Sequence, residues 1–439
     1  YFNTLCGSAT ESAIVVGGTN TVSNSYSGIL AGSQNNVSGK CSSLTGGRSN
    51  NVSGALSFIG GGQGNVASGY SSIVGGGFQN TSSSNQSTVS GGYNNTASAY
   101  RATVGGGCGN IASGGCSTIG GGQGNAASGI YSSVSGGLSN TASGGVATVS
   151  GGRGNTANNT YATVSGGYGN LACDGFSFVG GGQYNGAKAA YAAVGGGYSV
   201  TASGTYSFVG SGSVNTASGN CSTIAGGKSN SASGVASVIA GGFSNTASGV
   251  CSAVVGGYNN VVSVGNSTIS GGYTNSITAS TGRSFIGAGT NNKACGQGYH
   301  VLGGGYNNTA SGSYYSSVLS GESSTASGRN AVVAGGNANV ASGNASFIGG
   351  GYGNASINAS SAIGGGYGNT SSGAYSKVGG GLGNISSGGC SFVGGGRGNT
   401  ASNTVSTVSG GYNNSASGIR STIGGGYTNT ASGYGTVTS

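Results

Sequence analysis

Branched aliphatic residues recur at a fixed interval along almost the whole chain. Nine residues after the Asn of each "GGxxN" phrase stands Val, Ile or Leu, as at Ile29 and Ile423. Ser or Ala stands two residues before it, with His300 as the one exception, and Ala most often stands two residues after the Asn. Such alternation is typical of strands with one buried face. We therefore predict two short strands per repeat, one at "N-x-A" and one at "S-x-V-x-G".

The repeat is fifteen residues long, and its spacing defines the organisation of the chain. The chain divides into a degenerate first coil at 1–19, regular repeats at 20–275, repeats with short insertions at 276–324 and regular repeats at 325–439. Stacking these repeats by parallel backbone pairing gives an all-β fold. The prediction is a single long parallel β-solenoid, or β-roll, with about 28 coils and a length on the order of 135 Å.

The glycine and asparagine positions predict the turns and the interior of each coil. The Gly that usually stands four residues after the Asn is expected to adopt a positive φ angle. The Asn itself is expected to point inward and to form a structural ladder with its neighbours above and below. The predicted ladder residues are Asn65, Asn110, Asn125, Asn140 and Asn155, and the predicted core aliphatics are Val74, Val89, Val104, Val149 and Val164.

Aromatic residues occupy two outward columns of the second strand, six and eight residues after the Asn. They predict a partly apolar stripe on one face, which is typical of an interface. The alternative is that Tyr, Phe and Thr simply suit exposed strands. The candidate interface residues are Tyr131, Tyr161, Phe176, Phe178, Tyr191, Tyr206 and Phe208.

Composition excludes several classes of protein. Of 439 residues 104 are Gly and none is Pro, which excludes collagen, and 3% are charged. The net charge is +9, but the basic residues are scattered, so no nucleic-acid partner is expected. No apolar stretch of about 20 residues occurs, so no membrane insertion is expected. The first residue is not Met and the last repeat stops at "TVTS", which indicates a processed or partial segment.

Residues that carry chemistry are few and far apart. Glu11, Asp174 and Glu322 are the only acids and His300 is the only histidine. A Ser-His-Asp type of triad would need an acid near His300, and Glu322, in the same irregular repeats, is the only candidate. We instead expect His300 to fill a small-residue position. We expect no enzyme, no cofactor and no metal site. The nine Cys residues fit three hypotheses: free small apolar side chains, bonds between chains, or attachment points.

Two further surface features predict contacts outside the chain. Aromatic residues recur thirteen residues after the Asn, and they indicate either turn packing or a binding surface. Sequons for N-glycosylation also recur, and those at the inward Asn column are expected to stay unmodified. The candidate glycosylation sites are Asn36, Asn51, Asn85, Asn94, Asn158, Asn220, Asn266, Asn307, Asn344, Asn358 and Asn413.

The phrase "S-x-V-x-G-G-x-x-N-x-A-S-G-x-x", over about residues 12 to 437, resembles the YadA-like or haemagglutinin-like head repeats of trimeric autotransporter adhesins. The resemblance implies a left-handed parallel β-roll, a trimer of identical chains and an adhesive extracellular or cell-surface fibre. We therefore expect a non-catalytic structural protein whose partners are identical chains and glycans or other cell-surface ligands. The alternative is an ice-binding β-solenoid, which would need flat arrays of Thr.

Overall fold

A computed structural model of the chain describes residues 2–6 and 10–439. The chain forms two compact units, Tyr1–Asn215 and Thr216–Ser439. The described residues contain strands and turns and no helix, arranged as a parallel β-solenoid of about 29 turns with two short strands per turn. The predicted fold class is confirmed, and the degenerate first repeat accounts for the additional turn.

Each coil contributes one strand to a first sheet and one to a second sheet, and every strand is two residues long. In Tyr1–Asn215 the strands of the first sheet are Thr4–Leu5, Thr21–Val22, Asn36–Val37, Asn51–Val52, Val66–Ala67, Thr81–Ser82, Thr96–Ala97, Ile111–Ala112, Ala126–Ala127, Thr141–Ala142, Thr156–Ala157, Leu171–Ala172, Gly186–Ala187 and Thr201–Ala202. Those of the second sheet are Ala13–Ile14, Gly28–Ile29, Ser43–Leu44, Phe58–Ile59, Ile73–Val74, Thr88–Val89, Thr103–Val104, Thr118–Ile119, Ser133–Val134, Thr148–Val149, Thr163–Val164, Phe178–Val179, Ala193–Val194 and Phe208–Val209.

The second unit repeats this arrangement. In Thr216–Ser439 the strands of the first sheet are Thr216–Ala217, Ser231–Ala232, Thr246–Ala247, Val261–Val262, Ser276–Ile277, Lys293–Ala294, Thr309–Ala310, Thr325–Ala326, Val340–Ala341, Ala355–Ser356, Thr370–Ser371, Ile385–Ser386, Thr400–Ala401, Ser415–Ala416 and Thr430–Ala431. Those of the second sheet are Thr223–Ile224, Val238–Ile239, Ala253–Val254, Thr268–Ile269, Phe285–Ile286, Val301–Leu302, Ser317–Val318, Val332–Val333, Phe347–Ile348, Ala362–Ile363, Lys377–Val378, Phe392–Val393, Thr407–Val408, Thr422–Ile423 and Val437–Thr438.

Equivalent residues of successive coils lie side by side within each unit. Val149 pairs in parallel with Val164, and the Ser150 N–H donates to the Val164 carbonyl at 3.0 Å. Thr141 pairs in the same way with Thr156 in the first sheet. Backbone bonds between coils thus hold the strands together, as parallel pairing requires.

The interior of each coil is narrow and is filled by four columns of side chains. The aliphatic residues of the second strand are buried, and the core residues predicted from the sequence, Val74, Val89, Val104, Val149 and Val164, all have 0% exposure. The Ala column, the Asn column and the Ser column seven residues after the Asn complete the interior, as at Ala142, Asn140 and Ser132. Small side chains let the two sheets approach closely. The coil is therefore stabilised both by buried apolar surface and by backbone hydrogen bonds.

The predicted reason for the Gly four residues after the Asn is wrong. Gly54 does not adopt a positive φ angle, and instead a Cβ atom there would overlap the carbonyl oxygen of Gly69 in the next coil. The positive φ angle falls two residues later, as at Leu56 with φ 59°. Close approach of neighbouring coils therefore selects Gly at one position, while the left-handed conformation falls on residues of many types.

Valine in this left-handed position costs free energy, because a β-branched side chain crowds the backbone there. Val146 has φ 58° and is 40% exposed. Asn occurs at the equivalent position in Asn266 and Asn330, and Asn tolerates the conformation better. We expect Val146→Asn to raise the free energy of unfolding by about 1 kcal/mol in chemical denaturation.

The control for this prediction is Val235→Asn, which exchanges the same residues at an exposed position without a positive φ angle. It removes apolar surface in the same way but relieves no backbone strain. Equal effects of the two substitutions would show that strain at Val146 is not the cause.

Candidate binding surface

The Asn column is committed to bonds inside the solenoid. The Oδ1 of Asn140 accepts the backbone N–H of Asn155 at 3.0 Å, and its Nδ2 donates to the carbonyls of Gly136 and Gly152, both at 2.9 Å. The same three bonds are made by the other predicted ladder residues, Asn65, Asn110, Asn125 and Asn155. These amides therefore stabilise the stack of coils and are not exposed to solvent.

Four of the predicted interface residues form a stack that we call the aromatic file: Tyr161, Phe176, Tyr191 and Tyr206. Successive ring centroids lie 4.8, 5.0 and 4.7 Å apart, and the rings are nearly parallel. Each side chain is about half exposed. Because the coils hold the rings at the height of one strand, the faces stack on one another while the ring edges meet solvent.

The predicted stripe differs from the observed surface in two respects. The residues six positions after the Asn lie in a turn with positive φ, as Tyr131 does at 58°, and not on the second strand as predicted. Val146 stands between Tyr131 and the aromatic file in this column. Phe178 and Phe208 lie on the second strand, where Ala193 separates them. The second strand has two residues and begins only at the eighth position after the Asn, which is why one strand face cannot hold both columns.

A second set of rings follows the opposite turn, thirteen residues after the Asn. Phe243, Tyr258 and Tyr273 stack at centroid distances of 5.2 and 4.9 Å. Lys228 lies 5.5 Å from the Phe243 centroid, and Arg397 lies 5.6 Å from that of Tyr412. These rings pack on their neighbours along the turn, and a cation one coil earlier covers the first ring.

The candidate glycosylation sites lie on the surface, whereas the sequons of the inward Asn column are buried. Asn51 is half-buried, and ten further candidates are exposed: Asn36, Asn85, Asn94, Asn158, Asn220, Asn266, Asn307, Asn344, Asn358 and Asn413. By contrast Asn80, Asn354, Asn369 and Asn384, which carry the same sequence signal, have 0% exposure.

His300 and Glu322, the pair that the sequence analysis considered for a site, have separate hydrogen-bond partners. His300 is buried, its Nδ1 lies 2.7 Å from the Ser316 Oγ, and its Nε2 has no hydrogen-bond partner. Glu322 accepts a hydrogen bond from Asn337 at 3.2 Å instead. The nine Cys residues are free, and residues 2–6 and 10–439 contain no cluster of three or more His, Cys, Asp or Glu that could hold a metal ion.

Burial lowers the pKa of the His300 imidazole below its ordinary value of 6.5. The folded chain therefore keeps the ring neutral where the unfolded chain would protonate it, and stability falls as the pH drops below the unfolded pKa. We expect acidification to destabilise the chain by up to about 1.4 kcal/mol per pH unit, down to the folded pKa. Replacement by the small residue typical of this column, His300→Ser, should remove this contribution.

The measurement is the melting temperature by circular dichroism of both proteins at about pH 8 and about pH 5. Since His300 is the only histidine, the difference between the two proteins isolates its titration. An equal loss of melting temperature on acidification in both proteins would contradict a buried neutral imidazole.

Comparisons with known proteins do not assign this surface. No protein-family model matches the chain, and no curated protein matches it. Among the described residues there is no helix of the length and apolar character that a membrane crossing needs.

Sequence reasoning missed the pairing of cations with aromatic rings. Seven cations of the described residues lie over a ring, and they are Arg101, Arg153, Lys228, Arg283, Arg329, Arg397 and Arg420. The signal was present at the thirteenth position, where Arg153 precedes Tyr168 by one repeat and Arg397 precedes Tyr412. In the irregular repeats the insertions shift the columns, which hid the equivalent pairs.

Proposed function

We propose that the chain is a non-catalytic structural and adhesive protein of the cell surface or extracellular space. One observation carries this proposal: exposed rings recur once per coil over the four coils of the aromatic file, at 4.7 to 5.0 Å, on a frame held by backbone hydrogen bonds. Such a frame keeps many equal contact points in register. Weak contacts made at many points add up to strong attachment. The resemblance to adhesin head repeats supports the same role.

The test is attachment of beads that carry the chain to cells of the organism from which it comes and to cells it contacts. Adhesion should rise more steeply than linearly with the density of chain on the bead, because several contacts must form together. An antibody against the chain should also label intact cells. Labelling only after permeabilisation, together with no adhesion at any density, would contradict the proposal.

The partner proposed for the aromatic file is a second copy of the chain, in a homo-oligomer such as a trimer. Half-exposed rings in a continuous file leave apolar surface that a copy could cover. Sedimentation of the wild type at micromolar concentration should show an oligomer, and Phe176→Ser with Tyr191→Ser should dissociate it. A wild type that is monomeric and folded would contradict this part of the proposal.

Glycosylation is proposed for the exposed sequons, because sugars would keep a weakly charged surface soluble. The chain without sugars has a mass of 41.0 kDa. Intact-mass measurement of protein from its natural source should give a larger value. A mass equal to that of the bare chain would remove this proposal.

An ice-binding solenoid is the second candidate, and one observation favours it. Thr88, Thr103 and Thr118 lie in register on neighbouring strands of the second sheet, and their side chains reach solvent. The file ends at Ile73 on one side and Ser133 on the other. Thermal hysteresis in a freezing-point measurement would support this candidate, and freezing behaviour equal to that of an inert protein would remove it.

A further inference from the structure

The irregular coils place all their inserted residues at one turn. Two extra residues lie between Ile277 and Phe285, one between Ala294 and Val301, and one between Ala310 and Ser317. The strands on either side keep their pairing, so Phe285 still pairs with Val301, and Val301 with Ser317. Three successive coils are thus enlarged on the same edge while the frame is unchanged. Enlarged loops on a rigid frame are where binding residues are commonly placed.

This edge carries a cluster that we call the Arg–Tyr edge: Arg283, Tyr299, Tyr314, Tyr315 and Arg329. The rings of Tyr299 and Tyr315 stack at 5.0 Å with 6° between their planes. The Arg283 guanidinium carbon lies 5.7 Å from the Tyr299 centroid, and its Nη1 donates to the Tyr299 hydroxyl at 3.2 Å. The Arg329 guanidinium carbon lies 5.9 Å from the Tyr314 centroid. The cluster therefore begins and ends with a cation.

The two guanidinium groups have no acid to balance them. The only acidic residue in Thr216–Ser439 is Glu322, which lies two residues before the Asn column position Ser324, at the opposite turn. Its backbone bridges Tyr306 and Asn337 there. Both arginines are exposed, and so are Tyr314 and Tyr315. Two uncompensated positive charges on one edge attract an oxyanion, because a guanidinium group binds carboxylate or sulfate through paired N–H donors.

Tyr299 offers its hydroxyl group and ring edge to a binding partner, since both of its faces are covered. The face of Tyr299 toward the preceding coil is covered by Arg283, and its other face by Tyr315. The Tyr299 hydroxyl accepts from Arg283, which leaves its own hydrogen free to donate. Phenol and guanidinium donors side by side suit a molecule rich in oxygen acceptors and carrying occasional negative charges.

A nucleic acid suits this edge less well. Binding of single strands relies on bases that stack on free aromatic faces, and on many cations that follow a closely charged backbone. Here the faces of Tyr299 are occupied, and the two arginines are three coils apart, or roughly 14 Å at the spacing of paired strands. Widely spaced charges match a sparsely charged chain better.

We propose that the Arg–Tyr edge binds an acidic saccharide through its carboxylate or sulfate groups. The arginines bind the oxyanions, and the tyrosine hydroxyls donate to sugar oxygens between them. The inference rests on the proposed adhesive function, to which it assigns one ligand class and one site. The adhesive function and the saccharide site can be disproved separately. Attachment of the chain to cells does not require this site, and binding of a free oligosaccharide does not require attachment to cells.

The experiment measures binding of four labelled probes to the full chain by calorimetry at about 0.15 M ionic strength. The probes are a sulfated dextran oligosaccharide, an oligogalacturonate, an uncharged dextran oligosaccharide and a single-stranded oligonucleotide. The test variant is Arg283→Gln with Arg329→Gln. The control variant is Lys228→Gln with Arg397→Gln, which removes the same charge from the opposite turn of the same unit. A third variant, Tyr299→Phe with Tyr315→Phe, removes hydroxyls but keeps the rings.

We expect an acidic saccharide to bind and the uncharged dextran not to bind. The test variant should weaken binding by roughly 10- to 100-fold, the control variant by less than about threefold, and the hydroxyl variant by an intermediate factor. The sulfated and carboxylated probes distinguish which oxyanion is preferred. Equal losses in the test and control variants would show attraction by net charge alone and would overturn the proposal. So would tighter binding of the oligonucleotide, or binding of none of the probes by a wild type with an intact melting transition.

Discussion

Replacing Gly122 with Ala is expected to lower the free energy of unfolding of its coils by about 3 kcal/mol or more. Gly122 has φ 88°, a conformation that a residue with a Cβ atom adopts only under strain. A Cβ atom there would also overlap the carbonyl oxygen of Gly137 and lie 2.7 Å from the Asn125 Nδ2. That Nδ2 donates to the same Gly137 carbonyl at 2.9 Å, so the substitution disturbs the ladder as well.

The neighbouring Gly121 is the matched control. It has no positive φ angle, and a Cβ atom there would meet no atom within 4 Å. Gly121→Ala should therefore change stability by less than about 1 kcal/mol, and in the stabilising direction because Ala restricts the unfolded chain. Thermal melts and amide hydrogen exchange over residues 110–140 measure both variants. Equal behaviour of the two would mean that the coils do not approach one another at Gly122 as described.

The second large effect is expected from Asn354→Ala, which removes a ladder residue of the second unit. The Asn354 Oδ1 accepts the Asn369 N–H at 2.9 Å, and its Nδ2 donates to the Gly350 carbonyl at 3.0 Å. Both partners would be left without a bond, whereas the Gly366 carbonyl keeps the Tyr352 N–H as a donor. Since unsatisfied buried groups cost about 1–3 kcal/mol each, we expect a loss of about 3 kcal/mol or more in the free energy of unfolding.

The control is Asn344→Ala, which removes an exposed Asn one coil earlier and should change stability by less than about 0.5 kcal/mol. A further variant, Asn354→Ser, should lose less than Asn354→Ala. Ser324 already stands in this column, and its Oγ accepts the Asn339 N–H at 3.3 Å. Urea denaturation of the three variants measures the order. If Asn354→Ala and Asn344→Ala lowered the free energy of unfolding equally, the Asn column would not be a structural ladder.

The fold could be predicted from the sequence because one residue type per column leaves few ways to stack the coils. Aliphatic residues at Val149 and Val164 and amides at Asn140 and Asn155 fix both the register and the inward face. The turns could not be predicted as well, because Gly serves two purposes in this fold. At Gly54 it permits close approach of two coils, and at Gly122 it also supplies a positive φ angle. The identity of the residue does not distinguish these requirements.

The surface was predictable only in part. The rings of Tyr161 and Phe176 stand one repeat apart in the sequence, and their stacking follows from the register of the coils. The contact of Arg283 with Tyr299 does not follow from the repeat, because sixteen residues separate them in a stretch where insertions change the period. Placement of these side chains needs the three-dimensional path of the enlarged turns.

An experimental density map at side-chain resolution tests the central claim, that successive fifteen-residue repeats lie one above another. The account predicts Val149 and Val164 on adjacent strands about 4.8 Å apart, with the Asn140 amide bonded to the Gly152 carbonyl. A map in which these two valines lie on separate faces, or in which the Asn140 side chain points to solvent, would contradict it.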